Sequence, residues 1–249
     1  MVDTYYADND VTLYLGDCRQ VLPQLDLEVD CVIADPPYGE TSLTWDRWPD
    51  GWPDALAAAS RSMWCFGSMR MFLDRRDEFA AWKLSQDVVW EKHNGSGFHA
   101  DRFRRVHEHA VHWYRGDWVD IHHEAPVTLD ATARRIKTSG RPEHFGERGS
   151  HSYTSEVGGP RLMRSVLQVR STHHRAIHPT EKPVELLDLL IRYACPPGGV
   201  VLDPFAGSGS TAAAARLTGR RAVLIEGNER YCEAIVRRLA QDVLPVVVP

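Results

Sequence analysis

The chain has 249 residues, of which 43% are hydrophobic and 25% are charged, and its formal net charge is −5. These proportions are typical of a globular protein, and the length fits one large α/β domain that can carry an insertion. No apolar run is long enough to span a bilayer, the first residues lack a signal-peptide pattern, and the five cysteines form no C-x-x-C pair, so we expect a cytoplasmic protein with reduced thiols and no structural zinc.

The first 116 residues contain short apolar runs of strand length, together with a helix-like segment at residues 55–59. Near-continuous apolar runs that alternate with helices are typical of parallel strands covered on both faces. This pattern predicts a parallel sheet. The predicted strands are residues 11–15, 29–34, 62–67, 88–90 and 110–114.

The motif Asp35-Pro36-Pro37-Tyr38 follows directly after the second predicted strand. Proline has no N–H to donate to a sheet ladder, so two adjacent prolines end the strand. The motif therefore predicts a carboxylate at the tip of a buried strand and an aromatic ring just beyond it. The alternative is a plain strand end with a proline turn and a packed tyrosine.

Residues 117–176 lose the apolar rhythm and are rich in Arg, His, Gly, Ser and Thr, which predicts an irregular insertion without a core of its own. Residues 131–175 carry nine basic and three acidic side chains, a local net charge of +6 that leaves −11 for the rest of the chain. A basic stretch on an acidic body can face a polyanion, although a solvated loop with chance arginines is the alternative. The basic residues are Arg134, Arg135, Lys137, Arg141, Arg148, Arg161, Arg164, Arg170 and Arg175.

The last third of the chain again has regular apolar patterns, which predict one helix followed by a β-α-β-α unit. Apolar residues at helical spacing follow Pro183, which is typical of a helix start. The predicted elements are a helix at residues 183–192, a strand at 200–203, a helix at 211–217, a strand at 221–226 and a helix at 234–239.

A glycine-rich turn joins the strand at 200–203 to the next helix. Gly207 and Gly209 permit close approach of the backbone to a ligand, and Glu226 follows Asp203 by 23 positions, which suits a ribose hydroxyl. The turn is neither G-x-G-x-x-G nor a Walker loop. Its acid would repel a pyrophosphate but suits a ligand with an ammonium group and a ribose, and S-adenosylmethionine carries both. A purely structural tight turn is the alternative.

The two motifs, in this order, resemble the amino-methyltransferases of DNA in their β-class permutation, with D-P-P-Y first, the recognition region next and F-x-G-x-G last. Residues 178–183 (His-Pro-Thr-Glu-Lys-Pro) match the family's other cofactor motif, and residues 90–92 and 104–114 resemble its middle strands. The resemblance implies an α/β fold of the S-adenosylmethionine-dependent methyltransferase type: a circularly permuted, Rossmann-like, mostly parallel sheet with helices on both faces. It assigns catalysis and cofactor binding to residues 1–116 and 171–249, and target recognition to 117–170.

The resemblance implies a catalytic role for Asp35, Pro36, Pro37 and Tyr38. An exocyclic amine of adenine or cytosine is a poor nucleophile because its lone pair is delocalised into the ring. Hydrogen bonds from its two hydrogens to the Asp35 carboxylate and the rigidly held Pro36 carbonyl would free that lone pair. Tyr38 offers a face on which a base taken out of the duplex can stack.

The resemblance also implies S-adenosylmethionine as cofactor. The turn at residues 203–209 would hold the methionine ammonium, Thr180 and Lys182 its carboxylate, Glu226 the ribose and Asp17 the adenine amino group. Each acid could instead be a helix N-cap, Asp17 above all. The predicted cofactor residues are Asp17, Asp35, His178, Thr180, Lys182, Asp203, Pro204, Phe205, Ala206, Gly207, Ser208, Gly209 and Glu226.

The implied activity is methylation of adenine N6 in double-stranded DNA after base flipping, as in restriction-modification. Cytosine N4 is the near alternative, since Asp35 favours adenine by family association only, and an amino group of RNA or protein is a more distant one. The resemblance allows a homodimer. Without a cysteine framework or an H-E-x-x-H helix, the twelve histidines predict no metal site. The aromatic residues of the loop at 39–48 could close over a flipped base or pack on the body.

Overall fold

The computed structural model describes residues 2–96, 100–137, 152–171 and 180–242. The chain divides into two compact units. The first unit joins Met1–Glu124 to Ser165–Pro249 and contains the main sheet, and the second is Ala125–Arg164 and contains two small two-stranded sheets.

The main sheet accounts for all the strands predicted from the sequence. Residues 83–96 and 105–114 form two long strands where shorter runs were predicted. The strands are β1 (Thr4–Ala7), β2 (Val11–Leu15), β3 (Cys31–Ala34), β4 (Ser62–Gly67), β5 (Lys83–Ser96), β6 (Arg105–Tyr114), β7 (Val127–Thr128), β8 (Arg134–Lys137), β9 (Ser152–Ser155), β10 (Arg161–Leu162), β11 (Val166–Gln168), β12 (Val200–Asp203) and β13 (Arg221–Glu226).

Nine strands form the main sheet in the order β1-β2-β13-β12-β3-β4-β6-β5-β11. The run from β2 to β4 is parallel throughout, as is the pair β5–β11, whereas β1–β2, β4–β6 and β5–β6 are antiparallel. The sheet is therefore mostly parallel, which confirms the predicted fold class. The second unit pairs β7 with β10 and β8 with β9.

The α-helices are α1 (Cys18–Val21), α2 (Trp52–Leu56), α3 (Met69–Asp74), α4 (Val184–Ala194), α5 (Ser210–Leu217) and α6 (Glu229–Asp242). The helix predicted at residues 55–59 is misplaced: α2 begins at Trp52, with Pro53 in its first turn, and ends at Leu56. Proline is favoured at that position because its missing N–H is not needed there. Within the described residues, no helix has the length and hydropathy that crossing a membrane requires.

Strand β3 is buried on both faces, which explains its continuous apolar sequence. Cys31 and Ile33 face a core that includes residues of α4, α5 and α6, whereas Val32 and Ala34 face a second core that includes residues of α1 and α2. Alternate side chains of a strand point to opposite faces, so a strand in the middle of a two-sided sheet needs apolar residues throughout. All five cysteines are buried and free.

The two motifs singled out in the sequence lie at one edge of the sheet. Strand β3 pairs in parallel with β12, Cys31 opposite Val201 and Val32 opposite Leu202. Because parallel strands end at the same edge, the segment after Ala34 and the segment after Leu202 emerge side by side although about 170 residues separate them in sequence. The two motifs therefore meet at one edge of the sheet.

Candidate active site

A cavity of about 1030 Å³ opens at this edge of the sheet. It lies within the first unit, and residues of both motifs line it. All of the sequence-predicted site residues that the structure describes line the cavity except Gly209. His178 lies outside the described residues. The predicted residues on the cavity wall are Asp17, Asp35, Pro36, Pro37, Tyr38, Thr180, Lys182, Asp203, Pro204, Phe205, Ala206, Gly207, Ser208 and Glu226.

The first motif places a carboxylate and a phenol next to each other. Asp35 follows the last residue of β3, and the two prolines end the strand there. The Tyr38 hydroxyl lies 2.8 Å from Asp35 Oδ1 and 2.5 Å from Glu108 Oε1, and donates its single hydrogen to one of them at a time. Burial, followed by the charges of Asp35 and Glu108, raises the pKa of Tyr38 well above its usual value, so the phenol stays protonated.

Two lysines complete a charge network behind Asp35. Lys182 Nζ donates to Asp35 Oδ2 at 2.5 Å and lies 3.3 Å from Glu108 Oε1, while Lys92 Nζ lies 2.6 Å from Glu108 Oε2. Lys182 also stands over the Phe66 ring, 4.9 Å from its centroid. The network joins three segments that are distant in sequence: the residue after β3, the β5–β6 pair and the segment before α4.

The network holds its buried acid in the charged form. Burial alone would raise the pKa of Glu108, but the charges of Lys182 and Lys92 and the hydrogen bonds from Lys92 and Tyr38 outweigh it and lower that pKa to about 2. Burial likewise opposes the charge of Lys182, and Asp35 and Glu108 overcome it and raise the lysine pKa. Glu108 and Lys182 are therefore both ionised near neutral pH.

The glycine turn after β12 has the conformation expected of it. Gly207 and Gly209 have φ values of 50° and 74°, in the left-handed region that glycine adopts readily. A Cβ at Gly209 would also meet Ile235 side-chain atoms at 3.1 Å, so Gly209 supports the turn from behind rather than facing the cavity. The turn leads directly into α5, whose N-cap is Gly209.

Two acids next to this turn, Asp203 at the end of β12 and Glu226 at the end of β13, are held by neutral donors. Asp203 is 5% exposed and accepts hydrogen bonds from the Phe205 N–H at 3.0 Å and the Thr211 hydroxyl at 2.5 Å. Glu226 accepts from the Gly207 N–H at 2.8 Å and the Asn228 N–H at 2.9 Å. Burial raises the pKa of Glu226, and it raises that of Asp203 to about 7, because these donors offset only part of the desolvation.

Asp17 is a helix N-cap, as the sequence allowed. Its carboxylate accepts from the Arg19 N–H at 2.9 Å at the start of α1 and forms an ion pair with the Arg19 guanidinium at 2.5 Å. The hydrogen bond from the Arg19 side chain lowers the pKa of Asp17. The same carboxylate lines the cavity, so the capping role and a ligand-facing position coexist.

The loop after Tyr38 is anchored by a buried acid. Asp46 accepts from the Gly39 N–H at 2.8 Å and the Thr41 N–H at 2.7 Å. Burial would raise the pKa of Asp46, but the hydrogen bond from the Thr41 side chain, together with these backbone bonds, outweighs it and lowers that pKa. Trp48 packs against the rings of Trp52 and Phe79. Of the two possibilities open for this loop, Trp48 therefore packs on the body, whereas the partly exposed Trp45 lines the cavity.

A second buried ion pair supports the glycine turn. Arg238 Nη1 lies 3.0 Å from Glu181 Oε1 and donates to the Ser208 carbonyl at 3.2 Å. The pair joins α6, the turn and the segment that contains Thr180 and Lys182. Arg238, Glu108 and Lys92 were not predicted from the sequence as site residues. The only signal for Glu108 and Lys92 was their place within the segments that resemble the family's middle strands.

The sequence matches the N6/N4 family model described as DNA methylase over residues 29–237, which is most of the chain. The chain belongs to the N6/N4 DNA methylase family. Among curated relatives of this methylase, the Type II methyltransferase M.ScaI of Streptomyces caespitosus is 25% identical over 259 residues, covering 96% of this chain and 84% of that protein.

Solved structures show the same fold as this DNA methylase. The M1.HpyAVI–SAM complex has a TM-score of 0.62 at 22% identity, covering 92% of this chain and 98% of that chain. The PvuII DNA methyltransferase, titled cytosine-N4-specific, has a TM-score of 0.64 at 14% identity, covering all of this chain and 91% of that one.

Proposed function

We propose that this DNA methylase transfers a methyl group from S-adenosylmethionine to the exocyclic N6 of adenine in double-stranded DNA. The single observation that carries the proposal is the meeting of two chemistries in one cavity. Asp35 and Tyr38 form an amine-accepting corner, and Asp203 and Glu226 form an acidic, glycine-lined corner beside it. The similarity to the Type II methyltransferase M.ScaI and to the M1.HpyAVI–SAM complex supports methyl transfer and this cofactor.

The acidic corner fits the cofactor. In the part of the chain that the structure describes, Asp203 and Glu226 have no ion pair with a basic side chain, and burial raises the pKa of both. A ligand ammonium group would supply the missing positive charge at Asp203, and ribose hydroxyls would donate to Glu226. When bound, S-adenosylmethionine supplies a methyl group that its sulfonium charge already activates.

The Asp35 corner would bind the amine. Asp35 and the Pro36 carbonyl would accept the two amino hydrogens, which favours a pyramidal nitrogen with a free lone pair. Lys182 donates to Asp35 Oδ2, and the Tyr38 hydroxyl lies within hydrogen-bond distance of Asp35 Oδ1. Each of these carboxylate oxygens has a second lone pair that can accept an incoming N–H. The same contacts fix the direction in which the carboxylate points, so positioning provides most of the remaining catalysis.

Lys182 has a contact that the sequence did not predict. The resemblance assigned it to the methionine carboxylate, and here it pairs with Asp35. An ammonium group has three donors, so Lys182 can hold Asp35 and still face a cofactor carboxylate. We therefore retain both roles in the proposal, with Lys182 linking the amine corner to the cofactor corner.

The second unit would read the target sequence. Arg134, Arg135, Arg161 and Arg164 are exposed in it, which suits contact with phosphates. Arg170 belongs to the first unit, and Arg141, Arg148 and Arg175 lie outside the described residues. Together with the motif order, this arrangement supports the β-class assignment.

One assay separates adenine from cytosine as the target. The protein is incubated with S-adenosylmethionine labelled in the methyl group and unmodified bacteriophage λ DNA, and the DNA is digested to nucleosides. We expect label in N6-methyldeoxyadenosine. Label in N4-methyldeoxycytidine would shift the proposal to the alternative target. Absence of label in both, with a folded protein that binds the cofactor, would refute DNA as substrate.

A further inference from the structure

A fully exposed phenylalanine stands at the rim of the cavity. Phe103 lies in the connection between β5 and β6 and has a relative exposure of 102%, the largest among the exposed apolar side chains of the described residues. Burying a phenylalanine side chain is favourable, so leaving one entirely in water forgoes that stabilisation. An exposed aromatic ring beside a ligand cavity therefore suggests a partner that covers it.

The residues around Phe103 are basic. Arg102, Arg104 and Arg105 flank it and Asp101 is the one acid of this segment, which gives residues 101–105 a net charge of +2. Arg102 pairs with Asp101 in an exposed contact at 2.8 Å, which is weak in water and can give way to phosphate. Duplex DNA has stacked bases between two phosphate backbones. An apolar ring flanked by cationic side chains is complementary to it, because the ring can contact the bases while the cations contact the phosphates.

The connection between β5 and β6 contacts the loop that follows Tyr38. Arg105 Nη1 lies 3.4 Å from Glu40 Oε2, and Glu40 comes two residues after Tyr38 and accepts from the Ser68 hydroxyl. Phe103 and these arginines line the same cavity as Asp35 and Tyr38. When a target base leaves the duplex and enters the cavity, it leaves a gap in the base stack. That gap would therefore lie next to Phe103 at this rim.

We propose that Phe103 is a wedge that inserts into the DNA stack at the position vacated by the target base, with Arg102 and Arg104 against the neighbouring phosphates. The proposal rests on the proposed function, because it presupposes that a base leaves the duplex. Proteins that unstack DNA commonly insert an apolar side chain between base steps, and a phenylalanine can replace the lost stacking. The wedge would lower the cost of holding the base in the cavity, and it would have no part in the methyl transfer itself.

The target site is first identified by sequencing methylated λ DNA. The test then compares two synthetic duplexes that contain this site. One duplex is fully paired, and in the other the nucleotide opposite the target base is abasic, so the target is already unpaired. The variants are Phe103→Ala and Phe103→Trp. The matched control is Leu84→Ala, because Leu84 is 61% exposed on β5 and does not line the cavity. Both positions, Phe103 and Leu84, are at the surface, so unchanged thermal unfolding is the check on folding.

We expect Phe103→Ala to lower kcat/KM on the paired duplex by about 10- to 100-fold, the range that loss of one aromatic stack gives. On the abasic duplex the loss should shrink to within about threefold, since no pairing has to be broken. Phe103→Trp should stay near the wild type on both duplexes, and Leu84→Ala should change neither. With 2-aminopurine at the target position, the fluorescence increase on binding should fall for Phe103→Ala.

Two results would overturn the wedge while leaving the proposed function intact. One is equal activity of Phe103→Ala and wild type on the paired duplex. The other is an equal loss on both duplexes, which would place Phe103 in general DNA or protein contact instead. If the wild type methylates neither duplex and no other DNA, the proposed function itself fails, and the wedge with it.

Discussion

The two corners of the cavity, which are the proposed catalytic corner at Asp35, Tyr38 and Glu108 and the proposed cofactor corner at Asp203 and Glu226, shift the pKa of their buried acids in opposite directions. At the catalytic corner, Glu108 is surrounded by Lys92 and Lys182, and its pKa falls to about 2. At the cofactor corner, Asp203 is held by a hydroxyl and a backbone N–H, and its pKa rises to about 7. Both carboxylates are about equally buried, at 5% exposure, so the difference comes from their partners and not from their depth.

This difference indicates what each corner lacks. The catalytic corner carries its own counter-charges, so it is electrostatically complete before any ligand arrives. The cofactor corner is short of one positive charge, because neutral donors offset only part of the desolvation of an ionised acid. A cationic ligand would complete it. A substitution at one corner leaves the other corner as a reference.

The largest expected effect comes from removing the centre of the catalytic network. Glu108→Ala leaves Lys92 without its partner and Lys182 with Asp35 alone, and breaking a buried ion pair in this way should cost about 3–5 kcal/mol of unfolding free energy. Urea denaturation measures the change. The control Glu233→Ala breaks an exposed pair with Arg237 and should cost at most about 0.5 kcal/mol. Equal effects of the two variants would contradict the central role of Glu108.

The next effect concerns Asp35. Asp35→Asn keeps the shape of the side chain but removes the charge that would polarise the amine, so methyl transfer to DNA should fall by about 100- to 1000-fold. Cofactor binding, followed by calorimetry, should remain measurable because the cofactor corner is untouched. Asp50→Asn, an exposed position that pairs with Arg75, is the control. Near-normal turnover of Asp35→Asn would refute the catalytic assignment.

A pH dependence should mark the cofactor corner. Asp203 is charged only above its pKa of about 7, so the affinity for S-adenosylmethionine should rise with pH between pH 5.5 and 7, by up to about tenfold per unit. Calorimetric titration of wild type against Asp203→Asn measures it, and the variant should bind weakly with a flat profile. A wild-type affinity that stays constant over this range would exclude the predicted ammonium contact.

Deprotonation of Asp203 should raise the affinity for the cofactor but lower the free energy of unfolding. The folded pKa of this carboxyl, about 7, lies above the ordinary value of 3.8, so the folded chain holds the proton more tightly than the unfolded chain. This contribution to stability is complete below about pH 4 and is lost as the pH rises to about 7. Asp203→Asn should therefore flatten part of the stability curve between pH 4 and 7, as measured by urea denaturation.

The smallest effect compares one glycine from each corner. Gly39 and Gly209 have nearly equal φ values, 73° and 74°, so an alanine at either position bears a similar backbone strain of about 1–2 kcal/mol. A Cβ at Gly39 meets nothing within 4 Å, whereas one at Gly209 meets Ile235 at 3.1 Å. Gly209→Ala should thus be less stable than Gly39→Ala by about 1 kcal/mol. The reverse order would show that the glycine turn tolerates a side chain.

Much of the fold and of the two corners was predictable because the signals are local. Asp35 and Asp203 each end a continuous apolar run, and parallel strands with such ends meet at one edge. The contact of Lys182 with Asp35 was not predictable, since it joins residues 147 positions apart and depends on side-chain reach. Glu108 was hidden in a strand whose buried face also carries Ala110 and His112, and nothing in its own neighbours indicates that two lysines and a tyrosine surround it.

The pairing of β3 with β12 also has a consequence for biosynthesis. The ribosome releases β3 long before β12. One edge of β3 therefore has no neighbouring strand β12 until about 170 further residues have emerged. Sheet closure, and with it the assembly of the cavity, is therefore a late event of high contact order. Until then, the segment that carries Asp35 has no Asp203 beside it, and the cavity is incomplete.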